Sequence, residues 1–413
     1  MNLITKTITI VSAIITLVGS ECQAIEQHNS DNTNTAPKTP AIWNIDVIDA
    51  KVRRIKSGER FAFYDQIKRQ ADAILREESN PSVMNKVAAP ISGDKHDYMS
   101  LSRYWWQNPN TEDGLPYVRH DGKTNPEIND YDRNSLSRLS SSVRVLSLAY
   151  YISGEQKYAD KAISRLRTWF VDPSTRMNPN LNFAQVRKGH DNNRGNKSGV
   201  LDGYSFVEML DAVSLLEIRG AIPQNICDSL HSWFGEFTDW MLTSEQGIAE
   251  SRGRNNHAIG YDIQLTRYAI YGGRDSLARA VISSFPSRRL ERQIMEDGRM
   301  PEELKRTIAF FYSRYNLEHM IDICDIARSL GIDDLYISAN GAIDRAIMWL
   351  IPFAKDPSSF PYQQINSWDK AINDFARVVY RASKYNNTEE YKAIYNALKA
   401  PREESMFEFL YME

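Results

Sequence analysis

From Trp43 onward, large apolar residues recur every three or four positions with few interruptions. Leu136, Leu139, Val143, Leu146 and Tyr150 fall on one helix face, and Ile163, Leu166 and Phe170 repeat the pattern. The same spacing predicts helices at about 60–79, 202–219, 222–244, 254–271, 274–293, 302–330, 333–352, 365–385 and 388–398. Stops are legible at Gly154, at Gly220 ahead of Pro223, at Gly272-Gly273 and at Gly331. Few alternating runs argue for strands. The helices come in pairs joined by short turns, and successive pairs begin about every 50 to 70 residues without a repeated motif. Such an array buries its inner faces by stacking pair on pair. The expected fold class is all-α: an α/α toroid, an incomplete barrel of antiparallel helix pairs, in a single domain over residues 43–413. An open solenoid has the same periodicity, and the pattern alone does not separate the two.

Two stretches break the helical pattern. Residues 94–130 hold many Gly, Pro, Asn and Asp together with Tyr98, Tyr104, Trp105, Trp106 and Tyr117, and residues 172–201 form a second polar loop. Long loops this rich in aromatic residues usually do more than connect. The chain start differs again. Lys6 precedes an apolar run from Ile8 to Val18 that ends at Cys22-Gln23-Ala24, which reads as a cleaved signal peptide over residues 1–24. The run is too short for a membrane anchor. Residues 25–42, rich in Asn, Thr, Asp and Pro, read as a flexible linker. The expected location is therefore periplasmic or secreted, with no membrane attachment after cleavage. Cys227 and Cys324 then remain, both in apolar helical patterns, and are expected to be buried free thiols.

Composition adds limits. Of 413 residues, 42% are hydrophobic and 25% charged, and the net charge of −3 gives no basic field for nucleic acid. A polyanionic partner would need a local basic patch. Three polar clusters supply one: Asn193-Arg194-Gly195, Arg252-Gly253-Arg254-Asn255-Asn256-His257, and Lys305-Arg306 with Tyr312 and Tyr315. Each lies near the start of the first helix of a pair, so an array of pairs would gather them on one rim. Amide, imidazolium and guanidinium groups bind and neutralise a carboxylate, and a phenol beside a cation can serve as a base. These are the parts for abstracting a proton α to a carboxylate. Blander readings compete: Asn255-Asn256 as a helix cap, His257 as a structural histidine, Tyr312 and the Trp105-Trp106 pair as core. No zinc, calcium or phosphate-loop pattern occurs, so neither metal nor cofactor is expected. Asp191, Glu250, Glu302 and Glu303 near the same rim keep a two-carboxylate glycoside hydrolase open, and a glycan-binding protein without activity is the other alternative.

Three stretches resemble the alginate lyase superfamily of helical-toroid polysaccharide lyases, with polysaccharide lyase family 38 the nearest within it. The first runs from His96-Asp97-Tyr98 through Tyr104-Trp105-Trp106 and Asp113-Gly114-Leu115-Pro116-Tyr117 to Asn125-Pro126-Glu127. The second is Asn255-Asn256-His257 with Tyr261-Asp262-Ile263-Gln264; the third is Asp297-Gly298-Arg299-Met300-Pro301-Glu302-Glu303-Leu304 with Arg306-Thr307 and Tyr312-Ser313-Arg314-Tyr315-Asn316-Leu317. The resemblance implies that Asn256 and His257 sit at the carboxylate and proton-transfer site, that Arg306 precedes the catalytic Tyr312, and that Asn193 helps neutralise the carboxylate. Tyr315 is the competing phenol. Tyr104, Trp105, Trp106, Arg252, Tyr261, Glu303 and Tyr315 are expected to bind substrate. Arg194, Lys197 and Met300 depart from the family pattern and affect individual sugar contacts.

The implied activity is β-elimination on 1,4-linked uronate polymers by a monomer needing no cofactor. In D-mannuronate and D-glucuronate the C5 hydrogen and C4 oxygen share a face, so one tyrosine can take the proton and return it. In L-guluronate they do not. A lone tyrosine thus favours mannuronate-rich alginate or glucuronan, and an acidic polysaccharide is the expected partner.

Overall fold

The computed structural model describes residues 39–120, 123–365, 367–386, 388–398 and 405–412. The signal peptide and most of the linker lie outside the described residues. Helices dominate. In chain order they are α1 (Ile45–Lys56), α2 (Ala62–Leu75), α3 (Arg133–Ser153), α4 (Gln156–Leu166), α5 (Ser205–Ile218), α6 (Gln224–Thr243), α7 (Glu245–Ser251), α8 (Asn256–Tyr271), α9 (Asp275–Phe285), α10 (Pro301–Leu304), α11 (Ala309–Ser329), α12 (Ser338–Lys355), α13 (Trp368–Ala382), α14 (Thr388–Leu398) and α15 (Met406–Tyr411).

The pairing is the expected one. α3, α5, α8, α11 and α13 pack in succession, and α4, α9, α12 and α14 each cover the preceding first helix. α15 packs on α1, bringing the two ends of the described domain together. The fold is an all-α toroid of helix pairs. Gly154 ends α3 in the left-handed region at φ 74°, where its N–H reaches the Tyr150 carbonyl at 2.7 Å. Among the described residues, no helix is long and apolar enough to cross a membrane. Cys227 and Cys324 are buried and free, as expected.

α8 is the axle of the site. All of its residues except His257 are buried. A helix buried all round must neutralise whatever charge it carries. Asp262 receives Arg289 through two bonds of 2.7 and 2.9 Å, and Arg288 at 2.9 Å. Arg267 meets Asp211 of α5 at 3.0 Å with neither side chain exposed. Asp211 also accepts the backbone N–H groups of Ala41, Ile42 and Trp43 at 3.0, 2.8 and 2.8 Å. The end of the stretch read as linker is therefore held: Ala41 and Ile42 are buried.

Several boundaries differ from those expected. The helix read at 222–244 stops at Thr243, and a separate short helix, α7, follows. The helix read at 302–330 is two helices, α10 and α11, with a break at 305–308. The broken backbone finds its partners elsewhere: Ala309 N–H donates to Gln363 O at 2.8 Å, and Ile365 N–H to Thr307 O at 3.1 Å. The two polar loops hold four short strands. β1 (Met99–Leu101) pairs in parallel with β4 (Phe183–Val186), and β2 (Trp105–Trp106) pairs antiparallel with β3 (Val118–Arg119).

Candidate active site

The first turn of α8 carries Asn256 and His257. Asn255, at the cap position, makes no side-chain capping bond. The free N–H of Asn256 instead donates to the Glu303 carboxylate at 2.6 Å, and the Asn256 side-chain amide donates to the other oxygen at 2.8 Å. A carboxylate can only accept, so this bond also fixes which end of the amide is nitrogen. Asn256 and Glu303 are each 1% exposed. Burial raises the Glu303 carboxyl above the usual range, opposed by the Asn256 donors and by the nearby charge of Arg306.

His257 is pinned in the same manner from the other side. Its Nδ1 lies 2.6 Å from Oε1 of Glu250 on α7, and Glu250 is 2% exposed. The His257 side chain keeps 29% of its surface. The chain between them is fixed too. Arg289 donates to Ser251 O at 2.8 Å and to Gly253 O at 3.3 Å while bound to Asp262 of α8.

Arg306 lies in the break before α11, not on one helix with Tyr312 as the sequence pattern suggested. The break turns its guanidinium back. It donates to the Tyr312 hydroxyl at 2.7 Å and lies 3.7 Å from the centroid of that ring. Tyr315, one turn on, stacks with Phe311 and touches His319 at 4.2 Å between centroids. Burial, with Glu318 nearby, raises the Tyr315 phenol. His319 is buried, its Nδ1 is 3.4 Å from Asn256 O, and burial lowers it from 6.5 to about 3. Glu303 thus has Asn256, Arg306 and His257 about it, and Tyr312 joins this group through Arg306. A cavity of about 260 Å³ that includes Tyr315 and His319 in its lining also takes in Tyr204, Glu318, Arg377 and Arg381.

The loop residues form a second group. Asp191, Asn192 and Asn193 are all left-handed, with φ of 47°, 52° and 54°. Such backbone costs energy outside glycine, Asn and Asp bear it best, and it concentrates at functional sites. Asn193 accepts from Gly189 N–H at 2.6 Å. Among the described residues no hydrogen bond joins it to Asn256, His257, Arg306 or Tyr312. Trp105 packs edge-on to His190 at 4.9 Å and under Arg187 at 5.2 Å. Trp106 donates to Lys123 O at 2.9 Å. Tyr104, Trp105 and Trp106 are all half-buried, neither core nor free. The loop rejoins the first group through Tyr204, whose ring lies 4.8 Å from His319.

Two expected substrate contacts are corrected. Tyr261 is 3% exposed and donates to Met241 O at 2.9 Å, because the whole of α8 beyond His257 is enclosed. Glu303 is spent on Asn256 and faces no open space. Arg252 is exposed at the end of α7. The partnership of Glu250 with His257 and the framing role of Arg289 were not legible in the sequence; only the placement of Glu250 near the rim pointed that way.

A helical toroid carrying a guanidinium-bound phenol and a carboxylate-held imidazole fits the class of polysaccharide lyases, and this protein is one. A family model described as alginate lyase matches residues 82–360, and the chain belongs to that family. The chain is similar to an alginate lyase from Bacteroides ovatus, with 39% identity over 91% of this chain and 99% of the other and a TM-score of 0.86. It shares its fold with alginate lyase A1-III from Sphingomonas species A1, at 17% identity, 92% and 98% coverage and a TM-score of 0.59. It shares that fold equally with a tyrosine-to-phenylalanine variant of A1-III complexed with tetrasaccharide, at 16% identity, 92% and 97% coverage and a TM-score of 0.58. No curated protein matches the chain.

Proposed function

We propose that this lyase cleaves alginate, preferring mannuronate-rich chains with glucuronan as a second substrate, by syn β-elimination at Tyr312. The observation that carries this is the contact of Arg306 with both the oxygen and the ring face of Tyr312. The Tyr312 oxygen takes the C5 proton, the C4=C5 double bond forms as the C4–O bond breaks, and the phenol returns the proton to the departing oxygen. Arg306 stabilises the phenolate form of Tyr312 that accepts the proton. Arg306 neutralises the substrate carboxylate, with Asn193 from the loop and Asn256 behind His257, whose Nε2 faces the reacting sugar at the proton-transfer site. Tyr315 is the weaker candidate: Arg314 lies 5.5 Å from its ring centroid, but among the described residues no guanidinium donates to its oxygen, and its burial opposes the phenolate. Trp105, Trp106, Tyr104 and Arg252 supply sugar-binding surface, because aromatic rings stack on the apolar faces of pyranoses.

Other readings have less support. A hydrolase needs carboxyl groups at the glycosidic bond, whereas Glu250 and Glu303 are buried and engaged. The three stretches quoted above support a place with polysaccharide lyase family 38, and the apolar run at the chain start supports a periplasmic or secreted enzyme. The test is incubation with polymannuronate, polyguluronate, glucuronan and methyl-esterified polymannuronate, following ultraviolet absorbance and reducing ends. Both signals should rise on polymannuronate and, more slowly, on glucuronan. Reducing ends without absorbance, or equal rates on acid and ester, would overturn the proposal.

A further inference from the structure

Buried carboxylates flank the dipeptide at the start of α8. Glu303 holds Asn256, and Glu250 holds His257. They differ in consequence. Asn256 has almost no surface, so Glu303 braces the helix start. His257 alone on α8 keeps surface, so whatever fixes its ring decides which nitrogen faces the substrate. A carboxylate can only accept, so the 2.6 Å contact requires the proton on Nδ1. Nε2 has no protein hydrogen-bond partner among the described residues. It is the atom left for substrate.

We propose that Glu250 is a positioning residue for the elimination, one that holds His257 in the Nδ1–H tautomer with Nε2 offered to the substrate. This rests on the placement of His257 in the reaction given above. The surroundings are built for rigidity rather than for a chance ion pair. Glu250 lies on α7 with its carboxylate enclosed. The turn from α7 into α8 is tied by Arg289 to Ser251 O and Gly253 O, and Arg289 is tied to Asp262, six positions after Asn256 on α8 itself. The circuit closes on the helix that carries His257, so neither partner can drift from the other. A group acting through another is worth most when its own position is fixed in this way. Without the carboxylate the ring is free to exchange tautomers, and the wrong one presents an N–H where an acceptor is required, or the reverse.

The experiment compares Glu250→Gln, His257→Ala and the double variant in the full-length enzyme on polymannuronate. Glutamine keeps the size of the side chain but can turn either an oxygen or an NH2 toward Nδ1. Glu250→Gln should lower kcat about a hundredfold with KM changed less than about threefold, since chain binding lies with other residues. The double variant should be no slower than His257→Ala alone, because Glu250 acts only through the ring. Imidazole 15N spectra, with His257 assigned by its loss in His257→Ala, should show Nδ1–H in the wild type and a tautomer mixture in Glu250→Gln. A wild-type kcat in Glu250→Gln beside an inactive His257→Ala would overturn the role of Glu250 and leave the site intact. So would a further loss in the double variant, or an unchanged 15N signature. Full activity in His257→Ala would instead remove the site reading on which this inference rests.

Discussion

Replacing Arg306 separates its charge from its shape. Lysine keeps the positive charge but not the planar group that lies 3.7 Å from the Tyr312 ring centroid while donating to its oxygen. The stacked contact is worth about 0.5–2 kcal/mol, and lysine cannot reproduce it together with the hydrogen bond. If that contact acts mainly as charge develops, Arg306→Lys should slow turnover about two- to thirtyfold, at roughly 1.4 kcal/mol per decade. Arg306→Ala also loses the donor and the charge. Removing one donor to a developing oxyanion typically costs about 2.7–4 kcal/mol, so the loss should reach about 10²–10³-fold. Both effects should appear in kcat rather than KM. Arg306 lies half-buried in a helix break, so either variant should change unfolding free energy by no more than about 2 kcal/mol. Steady-state kinetics on polymannuronate and chemical denaturation measure the two quantities. An Arg306→Lys enzyme within twofold of wild type, or an Arg306→Ala enzyme altered only in KM, would refute the reasoning and reduce Arg306 to a binding group.

Other expectations follow from the same structure. Trp105→Ala and Trp106→Ala should weaken polymer binding by more than they lower the melting temperature, because both rings are half-buried on a loop; a collapse of thermal stability in both would make them core. His319 goes from 6.5 unfolded to about 3 folded, so its stabilisation is complete above pH 6.5 and declines as pH falls toward 3, by about 2 kcal/mol at pH 5. Denaturation of wild type and His319→Gln at pH 8 and pH 5 should differ in slope by that amount, and parallel losses would show that His319 does not titrate as described. Asp211→Ala should cost about 3–5 kcal/mol, since it strands the buried Arg267 and frees the amides of residues 41–43; a loss under 1 kcal/mol would mean the clamp is dispensable.

The toroid was legible because its physics is local. Each first helix buries a wide apolar face, which writes a three-and-four spacing into Leu136 through Tyr150 and its counterparts. What stayed hidden depends on partners far along the chain. The break at 305–308 exists because Gln363 and Ile365 supply backbone partners, and nothing between Pro301 and Tyr312 announces them. α7, seven residues long, fell between the helices expected at 222–244 and 254–271, because so short a stretch shows too little periodicity. The strands are two to four residues long, too short for alternation to show. Asn256, His257, Arg306 and Tyr312 stood out as polar or phenolic residues near expected helix starts, and Arg306 does bond Tyr312 while Asn256 bonds Glu303. Tyr261 and Glu303 misled because sequence position cannot tell a rim residue from one enclosed between helices. Glu250 illustrates the reverse: its chemistry came into view only once α7 and α8 were set side by side.

The central claim is that one phenol, held by Arg306, removes and returns the proton. Tyr312→Phe and Tyr315→Phe test it directly, assayed for unsaturated product on polymannuronate with circular dichroism as the control for folding. Tyr312→Phe should retain its fold and lose turnover by at least about 10³-fold, while Tyr315→Phe stays within about tenfold of wild type. An active Tyr312→Phe beside an inactive Tyr315→Phe would contradict the account and move the chemistry one helical turn along α11.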